Sequence, residues 1–295
     1  MIKPIFFTLS SMLLLVSCLD SRATKNQDVL AFDTLSDSLE LTPLIIDSNE
    51  ITVESRFPVS LGFERMNQED PFAEYLRSLK LHPIEHDVHY FDGTTKSREG
   101  IYCSVVDLPI GKRDRHQCAD AVMNVRAHYF YEAQEYDKIH FNFTNGFRAD
   151  YSKWRDGQRI KVSGNQVNYY QTNNESESYE SFLAYLQKVY CYAGTYSLSK
   201  ELEPVELENI QPGNVFIRGG FPGHAVIVLD VIENNDGDRK FMLAQSYMPA
   251  QELQVLINPN SDELSPWYSL NEIKDKIYTP EWTFSRDQLK KFGSD

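Results

Sequence analysis

A cysteine at the start of a predicted helix is the residue in this sequence best suited to chemistry. Cys118 lies in the run Asp114-Arg115-His116-Gln117-Cys118-Ala119-Asp120-Ala121-Val122. Asp114 is a good N-cap, and apolar spacing predicts a helix that continues to about Gln134. A thiol in the first helical turn lies near the positive end of the helix dipole, which favours the thiolate that attacks carbonyl carbon.

The helix alone cannot activate Cys118. A helix dipole contributes about 0.3–1 kcal/mol, whereas lowering a thiol pKa from about 8.5 to about 4 requires about 6 kcal/mol. A cation about 4 Å away contributes about 4 kcal/mol at an effective dielectric constant near 20. An imidazolium beside the sulfur is therefore the expected partner.

His224 is the best placed histidine. It begins the β-branched strand His224-Ala225-Val226-Ile227-Val228 and follows a glycine-rich loop that lets a substrate approach the backbone. The turn Asn234-Asn235-Asp236-Gly237 predicts a hairpin to Phe241–Met248. That register puts Gln245 within reach of His224, with an uncertainty of about two residues that includes Ser246 and Tyr247.

The alternative for Cys118 is a buried apolar residue, since cysteine on an apolar helix face usually packs as a small hydrophobe. The cysteine count argues for a special thiol. If Cys18 carries lipid, then Cys103, Cys118 and Cys191 remain, and three thiols cannot all pair. Cys103 and Cys191 are both predicted to lie in the core.

A substrate-binding rim is predicted between the two parts of this site. The segment Phe147–Gly157 mixes aromatic and charged side chains without clean periodicity, and exposed Tyr151, Trp154 and Arg155 would suit contact with peptide or sugar. A solvated loop anchored by the tryptophan is the alternative. Gln117 and Ser246, next to the expected reacting groups, complete the predicted substrate-binding set.

Three histidines, His82, His86 and His89, lie close together in the sequence. A spacing of four residues suits a metal on a helix face, but Pro83 argues against a helix there. We interpret them as surface polar residues and expect no metal and no cofactor, with a metal site as the open alternative.

The first seventeen residues have the pattern of an export signal, with Lys3 followed by an apolar run too short to span a membrane. Leu15-Val16-Ser17-Cys18 resembles the lipobox of bacterial lipoproteins. The resemblance implies that the mature chain starts at a lipidated Cys18 and is anchored to a membrane by acyl chains, most naturally at the periplasmic face of the outer membrane.

Composition divides the remainder into two parts. Residues 18–51 are polar and acidic, which predicts a flexible tether, and residues 52–295 are long enough for a single α+β domain with its own core. The formal net charge of −14 makes nucleic acid an unsuitable partner, because nucleic-acid binding needs a basic surface.

The order of these motifs resembles that of the papain-like, NlpC-type cysteine hydrolases of cell walls. In that family a helix-start cysteine attacks, a strand-start histidine is the base, and a polar residue on the next strand orients the histidine. The resemblance assigns these roles to Cys118, His224 and Gln245. It also implies a papain-like core, in which the cysteine helix packs on a mostly antiparallel sheet, here with an N-terminal extension.

The chain departs from that family around the cysteine, where Gln117 replaces a common acidic residue and Ala119-Asp120 replaces serine-glycine. Over nearly the whole mature domain it also resembles bacterial lipoproteins grouped as a domain of unknown function. The expected function is hydrolysis of amide bonds, with peptidoglycan peptide as substrate. The alternative is an inactive lipoprotein that binds peptidoglycan or glycan.

Overall fold

The computed structural model describes residues 46–98, 100–172, 174–261 and 265–293. Cys18, the signal segment and most of the acidic segment 18–51 lie outside the described residues. The described residues belong to one compact unit. Within them, no helix combines the length and the apolar character that crossing a membrane requires.

Six α-helices occur in the described residues. They are α1 (Val53–Arg56), α2 (Pro71–Ser78), α3 (Cys118–Glu132), α4 (Tyr151–Arg155), α5 (Tyr179–Val189) and α6 (Thr195–Glu201). Periodicity predicts α2, α3 and α5 to within a few residues. It misses α4 and α6, because five and seven residues are too few for a helical repeat to stand out.

Fifteen strands occur in the same residues. They are β1 (Phe63–Arg65), β2 (Tyr102–Val105), β3 (His140–Asn142), β4 (Arg148–Asp150), β5 (Gln158–Ser163), β6 (Gln166–Gln171), β7 (Glu203–Pro204), β8 (Val215–Arg218), β9 (His224–Asn234), β10 (Arg239–Gln245), β11 (Gln254–Leu256), β12 (Trp267–Ser269), β13 (Lys276–Tyr278), β14 (Thr283–Ser285) and β15 (Leu289–Lys291). Short 3-10 turns lie at Tyr136–Lys138, Leu207–Asn209, Leu270–Glu272 and Arg286–Gln288.

A nine-stranded antiparallel sheet forms the centre of the fold. Its main path runs β2-β11-β10-β9-β8-β15-β7, while β1 pairs with β9 and β12 pairs with β10. The predicted mixed α+β class with a mostly antiparallel sheet is therefore correct. The long hairpin of β9 and β10 turns at Asn234–Gly237, as expected, and Gly237 has the positive φ of +83° that favours glycine.

Two segments whose composition predicts a single strand, His86–Phe91 and Ile277–Phe284, do not form one. His86–Phe91 is irregular, with isolated bridges at His89 and Tyr90. The predicted last strand, Ile277–Phe284, is instead the separate hairpin of β13 and β14.

Strand β9 separates two apolar cores. Ala225, Ile227 and Leu229 belong to the core that also contains the apolar face of α3. Val226 and Val228 belong to the opposite core. This alternation follows from the two-residue period of a strand, and it fixes α3 against one face of the sheet.

Helix α3 begins later than its predicted cap. Gln117, rather than Asp114, is the N-cap, and the Asp120 carboxylate accepts a hydrogen bond from the Gln117 backbone N–H at 3.1 Å. Asp114 Oδ1 instead accepts from the backbone N–H of Ala250 at 2.7 Å. The carboxylate thus ties the loop before α3 to the loop after β10, which no local sequence pattern reveals.

Candidate functional site

Cys118 is the first residue of α3, and its sulfur lies against the start of β9. The backbone N–H of Ala225, the residue that follows His224, lies close enough to the thiol to lower its pKa. The backbone N–H groups of Ala119 and of Cys118 itself act on the thiol in the same direction. The fold therefore brings the predicted nucleophile to the strand that begins with the predicted base.

The resting form of Cys118 is the neutral thiol. Burial raises the pKa of the thiol to about 11, and the nearby carboxylate of Asp120 adds to the rise. The three backbone N–H groups oppose this effect but do not overcome it. The side chain is 7 % exposed, so little water reaches the sulfur to stabilise a thiolate.

His224 contacts Gln245 directly. Its Nε2 lies 2.8 Å from Gln245 Oε1, while Gln245 Nε2 donates to Glu281 Oε2 at 2.6 Å. A carboxylate can only accept, so Glu281 fixes which end of the amide faces His224. Gln245 Oε1 must then accept the Nε2 proton, which leaves the Nδ1 lone pair of His224 unprotonated and available as a base.

A charged pair and an aromatic cover enclose this chain of hydrogen bonds. Lys96 Nζ lies 2.5 Å from Glu281 Oε2, and Lys96 is buried. The rings of Tyr247 and Trp282 lie 4.7 Å and 5.2 Å from the His224 ring, between centroids. These side chains exclude water from the imidazole and hold its plane.

The same enclosure controls the protonation of His224. Burial lowers the pKa of the imidazole to about 4, and the positive charge of Lys96 adds to the effect, whereas the hydrogen bond to Gln245 opposes it. His224 is therefore neutral at physiological pH. At rest, Cys118 is therefore a neutral thiol and His224 a neutral imidazole.

An open cleft of ≈ 240 Å³ gives access to Cys118. Its wall includes the first turn of α3, Tyr190, the start of α6, and the loop between β8 and β9. Phe221 and Met248, also in the wall, are 97 % and 50 % exposed, which is unusual for large apolar side chains. Gly223 permits the loop to pack here, because a Cβ would lie 2.4 Å from Gly220 O.

Asp120 adds a polar group to this cleft. Its carboxyl is buried, and Oδ1 has no hydrogen-bond partner among the described residues. Burial holds the pKa of Asp120 well above its usual range. An unpaired buried oxygen in a cleft wall is a natural contact for a ligand, because leaving it unsatisfied costs about 1–3 kcal/mol.

Part of the predicted binding rim is wrong. Tyr151 is fully buried and Trp154 is 7 % exposed, because they lie on α4 and pack on Phe182 and Tyr185 of α5. Arg155 is half-buried and lies over the Tyr136 ring at 5.4 Å. Because α4 is too short to show helical periodicity, the sequence did not reveal that Tyr151 and Trp154 lie in the core.

Of the two residues predicted to contact substrate beside the reacting groups, Gln117 lies in the cleft wall and Ser246 does not. Gln117 lines the cleft, and its side-chain amide donates to Asp114 Oδ1 at 3.0 Å. Ser246 is fully buried, with its hydroxyl 3.0 Å from His116 O and 2.7 Å from Gln251 O. The structure therefore does not expose Ser246 to the cleft, and its hydroxyl contacts the backbone of the loop before Cys118 instead.

The remaining thiols lie elsewhere. Cys103 is buried, as expected, and burial raises its pKa to about 12. Cys191 is exposed rather than in the core, because α5 ends at Val189 before reaching it. Cys103, Cys118 and Cys191 are all free, so the described part of the chain contains no disulfide.

Sequence reasoning missed several residues of the site. Glu281, Lys96 and Trp282 come from distant segments, and no spacing connects them with His224. The three histidines His82, His86 and His89 are brought together around Glu252, in a cluster separate from this cleft.

Comparisons with curated proteins and with solved structures gave no match to this chain. A family model does match, over residues 53–291, which include the central sheet, the cleft and nearly all of the described residues. The description of that family is "Domain of unknown function (4846)". Because the match covers most of the chain, this protein belongs to the family described as domain of unknown function 4846.

Proposed function

We propose that this protein is a papain-like cysteine hydrolase that cleaves an amide bond in cell-wall peptides. The observation that carries the proposal is the orientation of His224. Glu281 fixes the Gln245 amide, Gln245 takes the Nε2 proton, and Nδ1 is left as a base beside the strand that contacts Cys118. Papain-like hydrolases need this division of roles between the two imidazole nitrogens.

The reaction begins with a neutral pair. As the Cys118 sulfur attacks the carbonyl carbon, His224 Nδ1 takes the thiol proton, and backbone N–H groups at the start of α3 stabilise the oxyanion. The imidazolium then protonates the leaving amine as the C–N bond breaks, which leaves a thioester on Cys118. Water then attacks the thioester carbonyl while His224 takes a proton from it. The C–S bond breaks, the acid product leaves, and the imidazolium returns the proton to the Cys118 sulfur.

The cleft suits a short peptide with both polar and apolar parts. Asp120 Oδ1 would contact a substrate N–H or hydroxyl, and Phe221 and Met248 would cover apolar atoms. Arg115 in the same wall would pair with a substrate carboxylate. Peptides of peptidoglycan carry amide bonds and free carboxylates and lie within reach of a protein anchored through a lipidated Cys18.

The pKa values of Cys118 and His224 favour a second function, binding of wall peptides without cleavage. With the pKa of the Cys118 thiol near 11 and that of His224 near 4, the pair is neutral, and Asp120 disfavours the thiolate. A lipoprotein that binds wall peptides without cleaving them would show the same features. The two functions differ in whether a covalent intermediate forms on Cys118.

The deciding experiment is digestion of purified peptidoglycan and soluble wall peptides by the full chain, with products identified by mass spectrometry. We expect new amine-terminated fragments from the wild type and an acid-trapped thioester on the Cys118 peptide. Cys118→Ser should give neither, whereas Cys191→Ser, which removes a thiol outside the cleft, should match the wild type. Binding of the peptides with no product and no thioester would reject hydrolysis and leave the binding function.

A further inference from the structure

The histidine cluster departs from the expectation of surface polar residues. His82 starts an irregular segment, and the backbone N–H of His86 donates to Pro83 O at 2.9 Å in a turn. Arg56 and Arg98 donate to backbone carbonyls of this segment, at His82 and Ile84 respectively, both at 2.7 Å. The segment is therefore held without a helix, which removes the objection that Pro83 raised.

Glu252 lies at the centre of the cluster. Its Oε2 lies 3.0 Å from His86 Nε2 and 3.4 Å from His89 Nδ1, and those two nitrogens lie 3.3 Å apart. The other carboxylate oxygen lies 3.6 Å from His82 Nε2. Donor atoms of His82, His86 and Glu252 all fall within 4.8 Å of one another.

These separations match the edges of a small coordination polyhedron. Ligands about 2.0–2.1 Å from a tetrahedral Zn²⁺ lie about 3.4 Å from one another. The triangle of His86 Nε2, His89 Nδ1 and Glu252 Oε2 has edges of 3.0, 3.4 and 3.3 Å. The ring of His82 is stacked on that of His86 with 4.0 Å between centroids, and a donor atom of His82 lies within 4.8 Å of those of His86 and Glu252.

Hydrogen bonds alone satisfy the donor atoms of this cluster poorly. The one hydrogen on an imidazole nitrogen can make only one of these contacts, whereas a divalent cation would bond all four donor atoms at once. Imidazole nitrogen with a single carboxylate oxygen suits Zn²⁺ and similar transition metals, whereas Mg²⁺ and Ca²⁺ prefer oxygen ligands.

The ligands also have supporting contacts of their own. The backbone N–H of His89 donates to Glu252 Oε2 at 2.8 Å, and the backbone N–H of Glu252 donates to His89 O at 3.1 Å. Such contacts orient ligands and tune their basicity in known metal sites.

We propose that His82, His86, His89 and Glu252 form a binding site for a transition-metal ion of the Zn²⁺ type. The ion joins the segment 82–89 to the strand region of β11. Gln251, next to Glu252, accepts from the His116 ring at 3.3 Å, and His116 precedes Gln117 and Cys118. The metal thus braces the segment that supports the start of α3, and its role is structural.

The test is metal binding by the full chain after treatment with a chelator. Titration calorimetry with Zn²⁺ should give one ion per chain, and Co²⁺ should give the visible absorption of a four-coordinate site without the sulfur-to-cobalt band of thiolate ligands. Zn²⁺ should also raise the melting temperature. Each of His86→Ala, His89→Ala and Glu252→Gln should weaken binding by at least about 100-fold, the upper end of losses seen even for supporting residues.

Two matched variants separate this site from other metal-binding groups. His140→Ala removes a half-buried histidine that lies 3.8 Å from Glu201, outside the cluster, and should bind Zn²⁺ like the wild type. Cys118→Ser should also bind normally, which separates the cluster from the cleft. His89 is the most exposed ligand, so His89→Ala keeps the test valid if another variant misfolds. Unchanged binding in a folded His89→Ala or Glu252→Gln variant, or loss of binding in Cys118→Ser, would overturn the proposal.

Discussion

His224 Nε2 lies 2.8 Å from Gln245 Oε1, and this one contact decides which nitrogen of the neutral imidazole carries the proton. Glu281 holds the far end of the same amide at 2.6 Å. A neutral amide therefore does the orienting, while the charge of Glu281 acts one residue further away and is balanced by Lys96. A neutral amide between His224 and Glu281 stabilises an imidazolium less than a carboxylate bonded directly to the ring would.

Gln245→Ala should lower kcat/KM for the proposed hydrolysis about 10-fold to 100-fold, less than the about 10²–10⁴-fold expected for loss of a general base. The reason is that His224 keeps its basic nitrogen but loses its fixed orientation. Steady-state kinetics beside His224→Ala checks the ranking. Glu281→Gln is the matched variant, since it keeps an acceptor for Gln245, and its kcat/KM should fall less than that of Gln245→Ala. Equal rates for Gln245→Ala and the wild type would remove Gln245 from its positioning role.

Cys118→Ser and His224→Ala should each abolish hydrolysis, and the double variant should be no worse than either single one. Both groups act in the same step, so their effects are not additive. Cys118→Ser should leave the melting temperature nearly unchanged, because the two side chains have similar volumes. If the variant unfolds instead of losing activity alone, Cys118 is a core residue.

The rate at which iodoacetamide alkylates Cys118 should rise about tenfold for each pH unit between pH 6 and pH 9. The thiolate is the reactive form, and a thiol with a pKa of about 11 has a thiolate fraction that grows in that proportion. Peptide mass spectrometry of the Cys191→Ser variant measures this rate without interference from the exposed thiol. A rate that is already constant above pH 6 would indicate a thiolate–imidazolium pair.

Acid should destabilise the fold through His116. Its Nδ1 donates to Gln251 O and its Nε2 accepts from Asn124 Nδ2 at 2.9 Å, so only the neutral ring fits. Burial lowers the pKa of His116 to about 4. The unfolded chain, with a pKa of about 6.5, binds a proton first, so this contribution is complete above pH 6.5 and is lost as pH falls through 4.

The expected loss from His116 is about 3 kcal/mol of unfolding free energy, from a pKa difference of about 2.5 units. Urea unfolding at pH 7.5 and pH 4.5 measures it. His116→Asn should be less stable at pH 7.5 but should lose less stability on acidification, whereas Cys191→Ser should keep the slope of the wild type. An identical pH slope in His116→Asn would assign the acid sensitivity to other groups.

Cys18→Ala should move the protein from the membrane fraction to the soluble fraction, because the lipobox-like sequence Leu15-Val16-Ser17-Cys18 is the expected anchor. Fractionation at high salt, followed by immunoblotting, checks this. Cys191→Ser, which changes another cysteine, should stay with the membrane. Persistence of Cys18→Ala in the washed membrane would place the anchor elsewhere.

The sequence by itself determined the helix of Cys118, the strand that starts at His224 and the hairpin that brings Gln245 back to it. All three depend on local signals, namely helical periodicity, β-branched runs and a glycine turn, which act over a few residues. The turn sets the register of β9 and β10 next to it, and a bulge between Met242 and Leu243 then shifts the pairing before Gln245 is reached. The order of these elements was sufficient to propose the reacting groups.

Only the tertiary structure decided what surrounds them. Glu281 and Lys96 reach Gln245 from segments far apart in the chain, and burial among them moves the pKa of His224 to about 4. Tyr151 and Trp154 became core because a neighbouring helix covers them. His82, His86 and His89 meet around Glu252, which no local pattern places beside them. Long-range packing and desolvation depend on which distant side chains meet, and this has no signature in local sequence.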